Sequence, residues 1–228
     1  LDLNKHQADR VKIVFYTDPL CCWSWALQPH WQRFIENYKQ QIAYSYCMGG
    51  MIPDWKKFND PFNSVSRPAQ MGPIWMEAQH KTGAEINDLI WIKNPPASSY
   101  PACIAVKTAS LQSCEASEKY LRAVWKAVMV DSMDISKKEI LLEIARVLSA
   151  SESINFYFDR FANEYNNELS RDAFRNDLRQ IGYNKIGRFP TMTFTKAGKG
   201  LIMTGYRPYE ALVEAFDQLQ LICKEQVG

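Results

Sequence analysis

The chain lacks any apolar run near the roughly 18 to 20 residues that a membrane-spanning helix needs, so it is not expected to cross a membrane. It also lacks an excess of charge: 27 basic and 25 acidic residues leave a formal +2, with no run of five like charges. Neither a nucleic-acid surface nor an acidic tail is therefore expected. Histidine is scarce. His6, His30 and His80 stand apart from one another and from any cysteine pair, which removes the close ligand spacing of a zinc site. No metal and no bound cofactor is expected. The opening segment LDLNKHQADR is polar, without the charged and then apolar pattern of a signal peptide, and points to the cytoplasm.

Dense cysteine spacing is missing as well. The six cysteines, at 21, 22, 47, 103, 114 and 223, are scattered through 228 residues, so no disulfide framework is implied and most are expected as reduced thiols. Cys47, Cys103, Cys114 and Cys223 read as small core residues. With 46% hydrophobic residues and 13% aromatic ones, a chain of this length fills a sizeable core without such staples.

What is present is strongly patterned. VKIVFYT (11–17) reads as a buried strand that ends at Asp18-Pro19, where proline forbids further pairing. From Ser24 to about Gln40, Trp31, Phe34, Ile35 and Tyr38 share one helical face. IAYSYCM (42–48) reads as a second strand, stopped by Gly49-Gly50, and the three elements form a right-handed βαβ unit. Helical periodicity then dominates, over Ala102 to Ser113 and Glu118 to Val130. A capping box at Ser136-Lys-Lys-Glu139 opens a further helix, and Ser170 is the expected N-cap of one over Arg171 to Ile181. Strands return at FPTMTFT (189–195) and GLIMTG (200–205), joined by the hairpin loop KAGKG, and Pro208 precedes a last helix in which Leu212, Ala215, Phe216, Leu219 and Ile222 share a face.

The order is βαβ, helical block, ββα, which is the arrangement of the thioredoxin fold in the α/β class. One domain is expected, with thioredoxin halves at about 10–55 and 186–226 and a large α-helical insertion at about 60–183, since no repeat or exposed linker sets the block apart. Cys21 and Cys22 fall at the start of the first helix. Unpaired N–H groups and the positive end of the helix dipole favour a thiolate there, and are expected to draw a cysteine pKa from about 8.5 towards neutrality. The competing reading of Cys21 is a small buried apolar residue.

The stretches FYTDPLCCWSWALQP, NPPASSYPACIAVKTASLQ and IGRFPTMTFTKAGKGLIMTGYRPYEAL resemble the DsbA-type thioredoxin-fold proteins, in particular the branch described as FrnE-like or dithiol-disulfide isomerases. The likeness runs in order from residue 11 to about residue 216. In that branch the first motif is usually D-P-x-C-x-W-C-W. Cys21 then stands at the nucleophilic cysteine, Trp23 and Trp25 at the tryptophans, Cys22 at a variable position, and Ser24 where the resolving cysteine would be. Three readings of Ser24 stay open: a native monothiol site in which its hydroxyl donates to the Cys21 thiolate, a substitution that traps the mixed disulfide, or resolution by Cys22 through a strained disulfide between neighbours.

The resemblance also makes Arg188-Phe189-Pro190-Thr191 the cis-proline loop. It implies that the Phe189 carbonyl and the Thr191 N–H face the thiol and pair with an extended substrate; without it, a trans proline opening a strand is the plain reading. Ser98 and Ser99, in NPPASSYPA, either form a cap segment near the redox site or simply start a helix. Trp23 and Trp25 either wall a substrate groove or pack.

Three functions follow. The first is a DsbA-type thiol-disulfide oxidoreductase or isomerase, with Cys21 exchanging with protein thiols and disulfides or with glutathione as co-substrate. The second is a glutathione-dependent enzyme resembling 2-hydroxychromene-2-carboxylate isomerases and kappa-class glutathione transferases, with Ser24 activating the glutathione thiol. The third is a non-enzymatic adaptor that holds a partner protein on the helical block.

Overall fold

The computed structural model describes residues 10–151 and 155–224. Residues 1–9, on which the absence of a leader was argued and which include His6, lie outside them. The β-branched run becomes β1 (Val11–Thr17), followed by α1 (Cys22–Tyr38) and β2 (Ile42–Met48). The second half supplies β3 (Thr191–Lys196), β4 (Lys199–Thr204) and α9 (Tyr209–Lys224). Both halves build one sheet in the order β2-β1-β3-β4. β1 runs parallel to β2 and antiparallel to β3, with Phe15 opposite Tyr46 and Met192, and β3 and β4 form the antiparallel hairpin expected from KAGKG.

The expected faces of the helices are the buried ones. Trp31 and Phe34 of α1 are essentially without solvent contact, and Trp31 meets Phe15 edge-on at 5.7 Å while donating its indole N–H to Tyr46 at 2.9 Å. Phe216 packs against Phe34, so α9 lies beside α1 and over β3 and β4. Pro29 stands inside α1 and has no N–H to offer the carbonyl one turn back.

Between the halves come α2 (Met71–Thr82), α3 (Ile90–Lys93), α4 (Tyr100–Ser110), α5 (Cys114–Met129), α6 (Lys138–Ser149), α7 (Phe158–Glu164) and α8 (Glu168–Tyr183). α4, α5 and α8 gather against β2, and a buried ion pair fixes α4 and α8 there. Lys107 of α4 reaches Asp177 of α8 at 3.0 Å, while Asp177 also accepts the Met48 N–H and Lys107 donates to the Tyr46 carbonyl. Among the described residues no helix is long and apolar enough to cross a membrane.

Two helix starts differ from expectation. Ser136 makes no capping box: its N–H and hydroxyl both go to the Asp134 carboxylate, a stronger acceptor two residues back, and α6 begins after Lys137 without a capping side chain. α8 is capped by Asn167, whose side chain accepts the Ser170 N–H at 2.9 Å; Ser170 lies inside the first turn and is not the cap. Cys114 is exposed and Cys223 partly so, unlike the core positions of Cys47 and Cys103. Only the last two obey the core reading.

Candidate active site

The pairing of Tyr16 with Thr191 puts the chain leaving β1 and the chain approaching β3 at one end of the sheet. The β2 exit joins them, since Gly49 N–H donates to the Thr17 carbonyl, and so does the β4 exit, since Gly205 N–H donates to the Pro190 carbonyl. Residues 18–25, 49–52, 188–191 and 205–208 thus converge, and the expected sites at Cys21, Cys22, Trp23, Ser24, Trp25, Phe189, Pro190 and Thr191 all lie at this end.

Cys21 is the N-cap of α1, in extended backbone, and its carbonyl accepts the N–H groups of Ser24 and Trp25 at 3.1 and 3.2 Å. Only 5% of it is exposed. Burial pushes its thiol up to about 11, with the neighbouring Asp18 adding to the rise, while the Ser24 hydroxyl and the N–H groups of Ser24 and Trp23 act against it. Burial thus opposes the acidic thiol expected at a helix start: loss of water around the sulfur outweighs the helix-start N–H groups. Ser24 is fully buried. Its hydroxyl lies within reach of the Cys21 sulfur but completes no aligned hydrogen bond.

Cys22 is turned elsewhere. Its sulfur sits in the core against the Ile74 carbonyl of α2, 4.0 Å away, and burial holds this thiol well above its ordinary value. Both adjacent cysteines are free thiols. The reading of Cys22 as the resolving thiol is corrected accordingly, because its side chain leaves the site for the helical block.

Asp18 organises the turn before Cys21, a role the sequence reading missed. One carboxyl oxygen accepts the Leu20 N–H at 2.9 Å; the other accepts the Met51 N–H at 2.7 Å, the Ser99 hydroxyl at 3.0 Å and the Cys103 thiol at 3.5 Å. The Asp18 carbonyl takes the Trp125 indole and the Cys21 N–H. Burial raises this carboxyl above its ordinary value, against those hydrogen bonds. The Asp-Pro pair was the available signal, but its partners lie up to 107 positions away.

Ser98 and Ser99 are corrected by the same network. Ser99 is fully buried, donates to Asp18 and accepts the Ile52 N–H, so its hydroxyl is closed to substrate. The Ser98 hydroxyl faces the Ile52 and Pro53 carbonyls and accepts the Tyr100 N–H, which makes it a brace at the start of α4.

The Phe189-Pro190 bond is cis. Pro190 and Thr191 are buried, and the Thr191 hydroxyl donates to the Arg188 carbonyl at 2.8 Å. Phe189 is half-buried with its ring over Gly49, where a Cβ would stand 2.5 Å from two ring carbons. Trp23 and Trp25 are half-buried against the core, and Trp25 donates its indole N–H to the Glu85 carbonyl at 2.9 Å. His30 of α1 meets the Tyr206 hydroxyl at 2.9 Å, tying the β4 exit to the same helix. Among the described residues no group of three or more His, Cys, Asp or Glu side chains is placed to hold a metal ion.

Known proteins agree with this architecture. The chain is 20% identical over 221 residues to the ClpXP adapter protein SpxH of Halalkalibacterium halodurans, covering 96% of this chain and 70% of that one. It is 22% identical over 214 residues to SpxH of Bacillus subtilis, covering 92% and 67%. Among solved structures, a candidate protein disulfide isomerase from Nitrosomonas europaea superposes with a TM-score of 0.78 at 21% identity, over 93% of this chain and 98% of that one. The cytosolic disulfide reductase DsbM from Pseudomonas aeruginosa does so with 0.66 at 18% identity, over 95% and 98%. These likenesses establish a DsbA-like thioredoxin fold. A family model described as thioredoxin matches residues 14–214, nearly the whole sheet and the insertion within it, and the chain belongs to that thioredoxin family.

Proposed function

We propose that this protein is a monothiol thiol-disulfide exchange enzyme acting through Cys21 in the cytoplasm. The observation that carries the reading is Cys21 at the N-cap of α1, at the sheet end shared with the Phe189–Thr191 loop, with a hydroxyl in place of the second sulfur. The Cys21 thiolate attacks one sulfur of a substrate disulfide; the Cys21–substrate bond forms, the substrate S–S bond breaks, and the departing thiolate takes up a proton. A second thiol, from the same substrate or from glutathione, then attacks the mixed disulfide and returns Cys21 as a thiol.

The raised thiol shapes the kinetics. A mixed disulfide is uncharged, so burial that disfavours the thiolate does not disfavour the adduct. A high-pKa thiol is also a poor leaving group, so the adduct is long-lived. Such a site suits isomerisation or removal of a mixed disulfide more than net oxidation, because no internal disulfide stores two electrons.

The adaptor reading is the second one, favoured by the SpxH relatives, which are adapter proteins. The glutathione-transferase reading is weaker, because the Ser24 hydroxyl is fully buried and closed to a glutathione thiol. Refolding of a scrambled disulfide protein separates these. The exchange reading requires turnover that Cys21→Ala abolishes; partner binding that survives Cys21→Ala, with no turnover in either protein, would favour the adaptor.

A further inference from the structure

Three segments at this end of the sheet carry a charge that the whole chain does not, although the turn at 18–25 adds the buried Asp18 and the Trp25 indole rests on the Glu85 carbonyl. Residues 49–67, 184–190 and 205–208 hold six cations, Lys56, Lys57, Arg67, Lys185, Arg188 and Arg207, and two acids, Asp54 and Asp60, where the chain as a whole is nearly balanced. All six cations are exposed. None of them forms an ion pair among the described residues. Asp60 is occupied, accepting the N–H groups of Phe62 and Asn63 and the Asn63 side chain.

One of the cations is held in place. The Arg188 guanidinium carbon lies 4.0 Å from the centre of the Phe62 ring. Phe62 is 72% exposed, an unusual position for a phenylalanine, on a turn closed by the Asp60–Val65 bridge. A ring face beneath a guanidinium fixes its plane and leaves its edge N–H donors free, the geometry that grips a carboxylate through two hydrogen bonds. Arg188 also stands two residues before Pro190, and its carbonyl is clamped by the Thr191 hydroxyl. Its charge is thus anchored beside the loop that borders Cys21.

We infer that Arg188, set on Phe62, is the carboxylate-binding and specificity-determining residue of the Cys21 site, and that its exchange partner is a small acidic peptide thiol of the glutathione class. The inference rests on the thiol reading of Cys21. The partner is small because only 5% of Cys21 is exposed, which admits a sulfur carried on a slim chain, and acidic because the rim is cationic.

The test is the rate at which Cys21 in the full chain forms an adduct with three disulfide probes, read by mass spectrometry: oxidised glutathione (anionic), bis(2-hydroxyethyl) disulfide (neutral) and cystamine (cationic). Wild type should favour oxidised glutathione, and that preference should shrink with added salt. Arg188→Gln should lower the glutathione rate about tenfold, the worth of one charge-assisted hydrogen bond, and leave the neutral probe unchanged. Phe62→Ala should give a smaller loss in the same direction. The neutral probe reports any damage to the fold. An unchanged ratio of glutathione to neutral rate in Arg188→Gln overturns this inference alone, whereas no adduct at Cys21 with any probe overturns the thiol reading and this inference with it.

Discussion

Ser99 donates its hydroxyl to the Asp18 carboxyl at 3.0 Å, joining the turn before Cys21 to the start of α4 across 81 positions. The contact makes the helical insertion part of the thiol site's foundation, because the same carboxyl also holds the N–H groups of Leu20 and Met51. Asp18→Ala strands these buried donors and is expected to cost about 3 kcal/mol, against about 1 to 2 kcal/mol for Ser99→Ala. Urea denaturation measures both. Equal midpoints for wild type and Asp18→Ala would remove Asp18 from this role.

Stability should also depend on pH through Asp18. Its carboxyl is raised by burial, so the folded protein holds that proton more tightly than the unfolded chain does. Its contribution is full below the ordinary carboxyl value and is lost as pH climbs through the raised folded value. Asp18→Asn should therefore lack a fall in stability that wild type shows over that window. Asp177 is raised for the same reason and is present in both proteins, so the difference between their pH profiles isolates Asp18.

Gly49 and Gly50 should respond differently to alanine. At Gly50, with φ of 59°, any side chain is strained, and its Cβ would meet Tyr100, Phe174 and Leu178 at 2.9 to 3.0 Å. A loss of about 1 to 3 kcal/mol is expected for Gly50→Ala. At Gly49 the Cβ meets the half-buried Phe189 ring, which can swing away. Gly49→Ala should therefore spare stability but change the reaction rate of Cys21, since Phe189 is displaced from the rim. Thermal melting and thiol labelling together check the pair.

The strands and the βαβ–ββα order were legible because their signals are local: VKIVFYT and IAYSYCM carry β-branched and aromatic residues and are closed by Asp18-Pro19 and Gly49-Gly50. The convergence of Cys21 with the cis Phe189-Pro190 loop came through the family resemblance, since sheet register joins segments some 170 positions apart. What stayed hidden depended on tertiary burial. Nothing in LCCWSW says that Cys22 turns to α2, that Ser24 is sealed, or that water is stripped from Cys21 strongly enough to reverse the helix-start effect. The paired serines stayed open for the same reason: NPPASS fits a segment near the redox site as well as a helix start until Asp18 is seen to take the Ser99 hydroxyl and Ser98 the Tyr100 N–H.

The Cys21 thiol, pushed up to about 11, should be alkylated at neutral pH more slowly than a free cysteine, with a rate that keeps climbing to that value. Ser24→Ala removes a hydroxyl that favours the thiolate and should slow alkylation further. Residue-resolved mass spectrometry keeps Cys114 and Cys223, the more accessible thiols, apart from Cys21. A profile that levels off below pH 8 would contradict the burial argument.

Capture of the mixed disulfide tests the central claim most directly. Wild type and Ser24→Cys are incubated with oxidised glutathione, and each cysteine is mapped. Attack by Cys21 forms its glutathionyl disulfide and releases one glutathione thiol; in wild type this adduct should persist. In Ser24→Cys the introduced thiol should displace the second glutathione and leave an internal disulfide to position 21. Adducts confined to Cys114 and Cys223, with Cys21 unmodified in both proteins, would contradict the account.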